Sequence, residues 1–150
     1  MGALILPVTG LVYIDANAAI YSVEKIEPYW NLLQPLWGAA QAGHVTIISS
    51  ELLFFETLVK PFQQGDAVLE ASFRSLLLHS YEVQLQPITL SILETAARLR
   101  ATAGLKTPDA IHAATALAAQ TTLFLTNDSH FRRVSGLPVT LLSEAIASSP

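Results

Sequence analysis

The sequence has 150 residues, of which 51% are hydrophobic and 13% are charged, so it is long and apolar enough to bury the core of one domain. Its net charge of −4 argues against a protein that coats nucleic acid without sequence preference, because that activity needs a broad basic face. The absence of cysteine excludes disulfides and thiolate metal sites and fits a cytoplasmic location, and no apolar run reaches the roughly 20 residues of a membrane helix.

The first predicted unit is a strand followed by two helices. Residues 1–10 are apolar but lack a basic segment, so we expect an N-terminal extension and no secretory signal. Leu11–Ile14 has the composition of a strand buried on both faces, and it stops at Asp15. One helix is predicted over 16–26 and a second from Glu27-Pro28 to about residue 43. At this strand-to-helix junction the simplest role for Asp15 is a helix N-cap.

The second unit begins with a predicted strand over His44–Ile48, and we expect the two serines that follow to cap the next helix, residues 51–59. Glu56 of this helix is expected on the same apolar face as two leucines and Val59, which is a costly place for an acid. Two interpretations of Glu56 stay open. It can form an ion pair with Lys60 at i+4, or it can have a functional role.

The third unit contains a helix over Gly65–Ser80, a strand over Tyr81–Gln86 and a helix from Pro87 to Arg100. Thr107-Pro108-Asp109 then predicts a strong helix start, with a hydroxyl cap, a proline at the first position and an acid in the first turn. This helix continues to residue 120 and is rich in alanine, so it can lie close against a sheet.

The last part of the chain contains two further predicted strands. Thr122–Thr126 is an apolar strand followed directly by Asn127 and Asp128, and Val139–Leu142 is a short final strand. We expect Ser143 to cap a terminal helix.

This order of elements predicts an α/β fold, because strands separated by helices need crossover connections. We expect one domain over 1–150, with its core over about 11–142. Its central, mainly parallel sheet is flanked by helices on both faces. In such sheets ligands bind beyond the carboxyl ends of the strands, which is the edge where the acids at 15, 56, 109 and 128 are expected.

Four carboxylates at one edge need an explanation that a single capping acid does not. Two carboxylates about 4 Å apart repel by roughly 4 kcal/mol at an effective dielectric constant of about 20. Such a cluster takes up protons or binds a cation. Oxygen ligands without cysteine favour Mg²⁺ or Mn²⁺, and a site of this kind usually activates water against phosphates.

Four segments resemble the acidic motifs of the PIN-domain family, in its VapC-like toxin branch: VYIDANAAIY, SSELLFFETL, KTPDAIHAATAL and LTNDSHF. The resemblance spans about residues 11–142. It implies an endoribonuclease that depends on Mg²⁺ or Mn²⁺, with catalytic and metal-binding residues Asp15, Glu56, Asp109 and Asp128. It also implies a homodimer that a cognate antitoxin neutralises by blocking the acidic site.

Five further residues have weaker assignments beside these motifs. The resemblance places Asn17, Thr126 and Asn127 at polar positions next to the first and last acids, where Asn17 helps to hold the Asp15 carboxylate. His112 is first interpreted as a packing residue, with support of the acids or an RNA contact as the alternative. Arg132 lies close to Asp128 in the sequence and can meet phosphate, or it can belong to a solvated turn.

Two alternatives to a nuclease remain. An apolar strand that ends in an Asp also opens receiver-type proteins that form an aspartyl phosphate. Those proteins need a late lysine after a strand, and this chain has Asn127-Asp128 and Ser143 at those places. The other alternative is a non-catalytic PIN-like module for interaction or RNA processing, which the negative charge and the scattered basic residues favour.

Overall fold

A parallel sheet forms the centre of the protein in this computed structural model, which describes residues 2–148. Its strands, within those residues, are β1 (Gly10–Ile14), β2 (Val45–Ser50), β3 (Val83–Gln86), β4 (Leu123–Thr126) and β5 (Val139–Leu141). They lie in the order β3-β2-β1-β4-β5, and every neighbouring pair is parallel. The predicted α/β fold with a parallel sheet is therefore confirmed.

The helices connect the strands in the predicted order and cover both faces of the sheet. They are α1 (Ala16–Val23), α2 (Tyr29–Gln41), α3 (Leu52–Gln64), α4 (Ala67–Leu78), α5 (Leu90–Ala103), α6 (Thr107–Ala118) and α7 (Leu142–Ala147), with a 3-10 turn over Ser129–Arg133. None of the helices described is long and apolar enough to cross a membrane.

The core consists of one apolar layer on each side of the sheet. Alternate residues of β1 point to opposite faces, so Val12 and Ile14 pack with Leu33 of α2, whereas Tyr13 packs with Phe124 and α6. Every residue of α6 from Ala110 to Ala116 is buried. Small side chains let this helix lie close to the sheet, which fixes the position of its first turn.

Three predicted helix caps are wrong in detail. Ser49 and Ser50 belong to β2, although the Ser50 hydroxyl still accepts the Leu52 N–H at 3.1 Å. Thr107 is the first residue of α6 and not its cap, because the helix begins one residue earlier than the hydroxyl pattern indicates. Ser143 lies inside α7. These shifts of one or two residues do not change which acids reach the carboxyl edge.

Candidate metal centre

The carboxyl edge of the sheet receives the four acids from four different elements. Asp15 follows β1 and caps α1, Asp128 follows the neighbouring β4 and caps the 3-10 turn, and Asp109 lies in the first turn of α6. Glu56 lies in the second turn of α3, which follows β2 on the other side of β1. Because β1 is flanked by β2 and β4, these acids come from adjacent strands and the helices beyond them.

Asp15 is the most buried of the four, with 6% of its surface exposed. One carboxylate oxygen accepts the backbone N–H groups of Asn17 at 3.1 Å and Ala18 at 3.4 Å, and the other accepts the Thr126 hydroxyl at 2.5 Å. Burial raises the pKa of Asp15 from 3.8 to about 6, while the Thr126 hydrogen bond opposes that rise and the charge of Glu56 adds to it. The protein therefore holds this carboxylate rigidly in a place where its charge is costly.

Asp109 and Asp128 form the second half of the cluster. Partial burial raises the pKa of Asp109, and the nearby charges of Asp128 and then Glu56 raise it further. The N–H of Asp128 donates to the Thr126 hydroxyl at 3.0 Å, so one threonine contacts both Asp15 and Asp128. An oxygen of Asp128 accepts the His130 N–H at 2.9 Å and lies 3.2 Å from the ring nitrogen Nδ1 of the same histidine.

Glu56 does not form the i+4 ion pair with Lys60 that one of its two interpretations expects. Lys60 instead bonds to Glu24 at 2.5 Å, and Glu56 Oε1 lies 2.6 Å from Nε2 of His112. The side chain of Glu56 is 24% exposed, whereas that of His112 is 2% exposed. His112 is thus buried, as the packing interpretation expects, but it also contacts one of the acids.

Tyr13 completes this contact and is the residue that sequence reasoning missed. Its hydroxyl lies 2.6 Å from His112 Nδ1 and accepts the Ser50 N–H at 3.0 Å. Burial raises the pKa of the Tyr13 phenol well above its usual range, so the phenol keeps its proton. The only signal in the sequence is the hydroxyl group of Tyr13 inside an apolar strand. That signal does not identify His112, which lies 99 positions away, as its partner.

The remaining predicted residues divide into those that contact the acids and those that brace the edge. Asn17 contributes its backbone N–H to Asp15, and its side chain makes no hydrogen bond among the described residues. Asn127 donates to the Tyr21 hydroxyl and accepts the N–H of residue 143, so it ties α1 to α7. Arg132 makes a two-point ion pair with Glu144, with N–O distances of 2.7 and 2.8 Å.

The chemistry of the donor set fits a hard divalent cation. All four acids offer oxygen, and two of them have raised pKa values that a bound cation would lower. Within residues 2–148, however, no three acidic or imidazole side chains form a ready-made ligand group. A shallow groove of about 730 Å³ lies along α4, is lined mostly by small residues such as Ala71 and Ser75, and includes none of the four acids.

A family model described as PIN domain matches residues 12–137. No curated protein matches the sequence.

Three solved structures contain a chain with a similar fold. For the toxin-antitoxin complex from Klebsiella pneumoniae the TM-score is 0.65 at 21% identity, covering 87% of this chain and 97% of that chain. For FitAcB from Neisseria gonorrhoeae the TM-score is 0.64 at 15% identity, covering 88% and 98%. For VapBC2 from Rickettsia felis, bound to a promoter DNA fragment, it is 0.63 at 17% identity, covering 87% and 98%.

At these identities the structural likenesses show the fold. The family model, in contrast, matches most of the chain and includes the segments that carry all four acids. The predicted resemblance is therefore confirmed at the level of the family, and this protein belongs to the PIN domain family.

Proposed function

We propose that this protein is a metal-dependent endoribonuclease and the toxin of a toxin–antitoxin pair. The observation that carries the proposal is the cluster at the carboxyl edge of the sheet. Burial raises the pKa values of Asp15 and Asp109, the charge of Asp128 raises that of Asp109 further, and the charge of Glu56 adds a smaller contribution to each. Fixed carboxylates that repel one another are costly for a fold, and a divalent cation offsets that cost.

In this proposal Asp15, Glu56, Asp109 and Asp128 hold Mg²⁺ or Mn²⁺ directly or through water. The bound ion would orient and help to deprotonate a water molecule and would stabilise negative charge on the phosphate. The protein's own contribution is rigidity. Thr126 holds Asp15 and Asp128 through one hydroxyl, and the first turn of the buried helix α6 presents Asp109.

The expected partners are RNA, an antitoxin and a second copy of the chain, in the cytoplasm. The antitoxin is supported by the similar folds found in toxin–antitoxin complexes. RNA needs cations near the acids, and Lys60 and Arg132 are already paired with acids in the single chain. A dimer that brings Lys106 and Arg133 of two chains together would supply part of the missing positive charge.

An apolar stripe on α3 supports the homodimer. Phe55, Val59 and Phe62 lie at i, i+4 and i+7, and 67%, 40% and 58% of their surfaces are exposed. Large apolar side chains repeated along one helix face are typical of a surface that another protein covers. The sequence interpretation placed Val59 on the buried face of this helix, and the structure places it on the exposed one.

The test of the nuclease is cleavage of RNA by Asp15→Asn and Asp109→Asn in the presence of Mg²⁺ or Mn²⁺. We expect both variants to lose cleavage and to stay folded, because the asparagine side chains keep the size of the acids and remove the negative charge. Asp66→Asn is the matched control, since Asp66 caps α4 in the same way that Asp15 caps α1 but is not one of the clustered acids. Cleavage by both cluster variants at the wild-type rate would refute the proposal.

A non-catalytic interaction module is the second candidate. It is favoured by the negative charge and by the lack of a ready-made ligand group among residues 2–148. Thermal melting separates the two candidates. A nuclease of the proposed kind gains stability from millimolar Mn²⁺ or Mg²⁺, whereas no shift with either ion favours the interaction module.

A further inference from the structure

The metal-site proposal gives no role to one buried series of hydrogen bonds, called here the hydrogen-bond chain. It runs from the backbone of Ser50 through Tyr13 and His112 to Glu56, with distances of 3.0, 2.6 and 2.6 Å between successive partners. Tyr13 is fully buried and His112 is 2% exposed, so the chain passes through the core between β1 and α6. Burying three polar groups in this way is costly unless each is hydrogen-bonded, and here each is.

The two ends of this hydrogen-bond chain are a donor and an acceptor. The backbone N–H of Ser50 can only donate, so the Tyr13 oxygen accepts there, which leaves its own proton available to donate to His112 Nδ1. At the other end a carboxylate oxygen of Glu56 can only accept, so His112 Nε2 must carry a proton and donate it. The carboxylate end requires a proton on Nε2, and the Ser50 end is satisfied when Nδ1 accepts the Tyr13 proton.

This arrangement matters because the Glu56 carboxylate, unlike those of Asp15 and Asp128, has no capping hydrogen bond to hold it. Asp15 and Asp128 each cap a helical turn and accept backbone N–H groups, whereas Glu56 lies within α3 and its hydrogen bond among the described residues is the one from His112. That bond engages Oε1 and leaves Oε2 available. His112 also lies one turn after Asp109 on α6, so the same rigid helix sets the positions of two of the acids.

We propose that Tyr13 and His112 are positioning residues that hold the Glu56 carboxylate in the orientation needed to bind a divalent cation. This inference rests on the proposed function, because it takes Glu56 as one of the acids that hold the ion. His112 acts through Glu56 and Tyr13 acts through His112. Partners that orient a ligand in this way typically contribute about tenfold to hundredfold in metal affinity.

The test measures the affinity of the purified, metal-free protein for Mn²⁺ alone, by electron paramagnetic resonance of free Mn²⁺. Tyr13→Phe removes only the hydroxyl, because the phenylalanine ring can still stack on Phe124, which lies 4.9 Å from Tyr13 between ring centroids. We expect Tyr13→Phe to weaken binding about tenfold and His112→Leu to weaken it by more. His112→Gln should restore most of the affinity, because its side-chain amide offers an N–H donor where Nε2 lies.

Thr57→Val is the matched control for general loosening of α3. Thr57 follows Glu56 directly and is 2% exposed, and its hydroxyl bonds only to carbonyls of its own helix, at 2.9 and 3.2 Å. This control should bind Mn²⁺ as wild type does. If wild type binds and Tyr13→Phe and His112→Leu bind equally well, Tyr13 and His112 only pack the core and the inference is wrong. If wild type itself does not bind, the proposed metal site fails and the inference fails with it.

A second measurement on the wild-type protein does not depend on metal. Nitrogen-15 NMR of the His112 ring reports which ring nitrogen carries a proton. A protonated Nε2 supports the donor order described above. An unprotonated Nε2 would mean that His112 cannot donate to Glu56, and it would overturn the inference even if the protein binds Mn²⁺.

Discussion

Asp15→Asn should remove the pH dependence of stability that one buried acid gives to the metal-free protein. The pKa of Asp15 is about 6 in the folded state against 3.8 for a free side chain, so the folded protein holds the proton more tightly than the unfolded chain. Stability from this group is fully present below about pH 4 and is lost as the pH rises through 6. A shift of about two pKa units corresponds to a loss of about 3 kcal/mol at neutral pH.

The asparagine variant has no charge to bury and escapes this loss, but it fits the hydrogen bonds less well. The Thr126 hydroxyl accepts the N–H of Asp128 and donates to Asp15, and an asparagine amide cannot accept at one of the two places that the carboxylate serves. That mismatch costs about 1 kcal/mol. We therefore expect the variant to be less stable than wild type by about 1 kcal/mol near pH 4 and more stable by about 2 kcal/mol near pH 7.5.

The assay is urea unfolding of both proteins in EDTA across this pH range, with the difference in unfolding free energy plotted against pH. This difference should change sign between about pH 4 and pH 6. Asp66→Asn, which also replaces a helix-capping aspartate, should not reproduce the gain at neutral pH. A difference between wild type and Asp15→Asn that is the same at every pH would refute the argument that burial of Asp15 stores this free energy.

Three further outcomes are expected. Thr126→Val should destabilise the protein by about 1–3 kcal/mol. It should also raise the pH at which titration of Asp15 changes the stability, because the Thr126 hydrogen bond is the main influence that lowers the pKa of Asp15. The same unfolding series measures both effects, and an unchanged midpoint of the pH dependence would contradict the second. Mn²⁺ should raise the melting temperature more near pH 7.5 than near pH 5, because the cation competes with the proton on Asp15. An equal rise in melting temperature at the two pH values would mean that the ion binds away from Asp15. Phe55→Glu should convert the proposed dimer to a monomer in light scattering and leave metal binding intact. Val68→Glu, a change at a still more exposed apolar residue on α4, should not affect association.

Much of the fold follows from local patterns in the sequence. Short apolar strands such as Leu11–Ile14 and the helices between them specify the element order, and the order alone requires a parallel sheet. The capping errors at Ser49 and Thr107 are local as well, because a hydroxyl next to a helix start fits either side of the boundary equally well.

The partners of the acids depend on distances across the whole chain and could not be predicted in the same way. Lys60 is four residues from Glu56 and is the obvious local partner, but the structure gives Lys60 to Glu24 and Glu56 to His112. That pairing depends on how closely α3 and α6 approach each other, which the packing of small residues in α6 determines. The contact between Tyr13 and His112 depends further on which face of β1 packs against α6, and the pairing of β1 with β2 and β4 sets that face.

The position of β4 in the sheet has a consequence for synthesis of the protein. β1, β2 and β3 can pair as soon as they are made, but they leave β1 as an open edge, and the Thr126 hydroxyl that holds Asp15 comes 111 positions later. A growing chain on the ribosome therefore contains Asp15 and Glu56 long before it contains Asp128. The complete acidic centre assembles only after β4 has left the ribosome and paired with β1, so under the proposed function a partly made chain would not yet cleave the message that is being translated beside it.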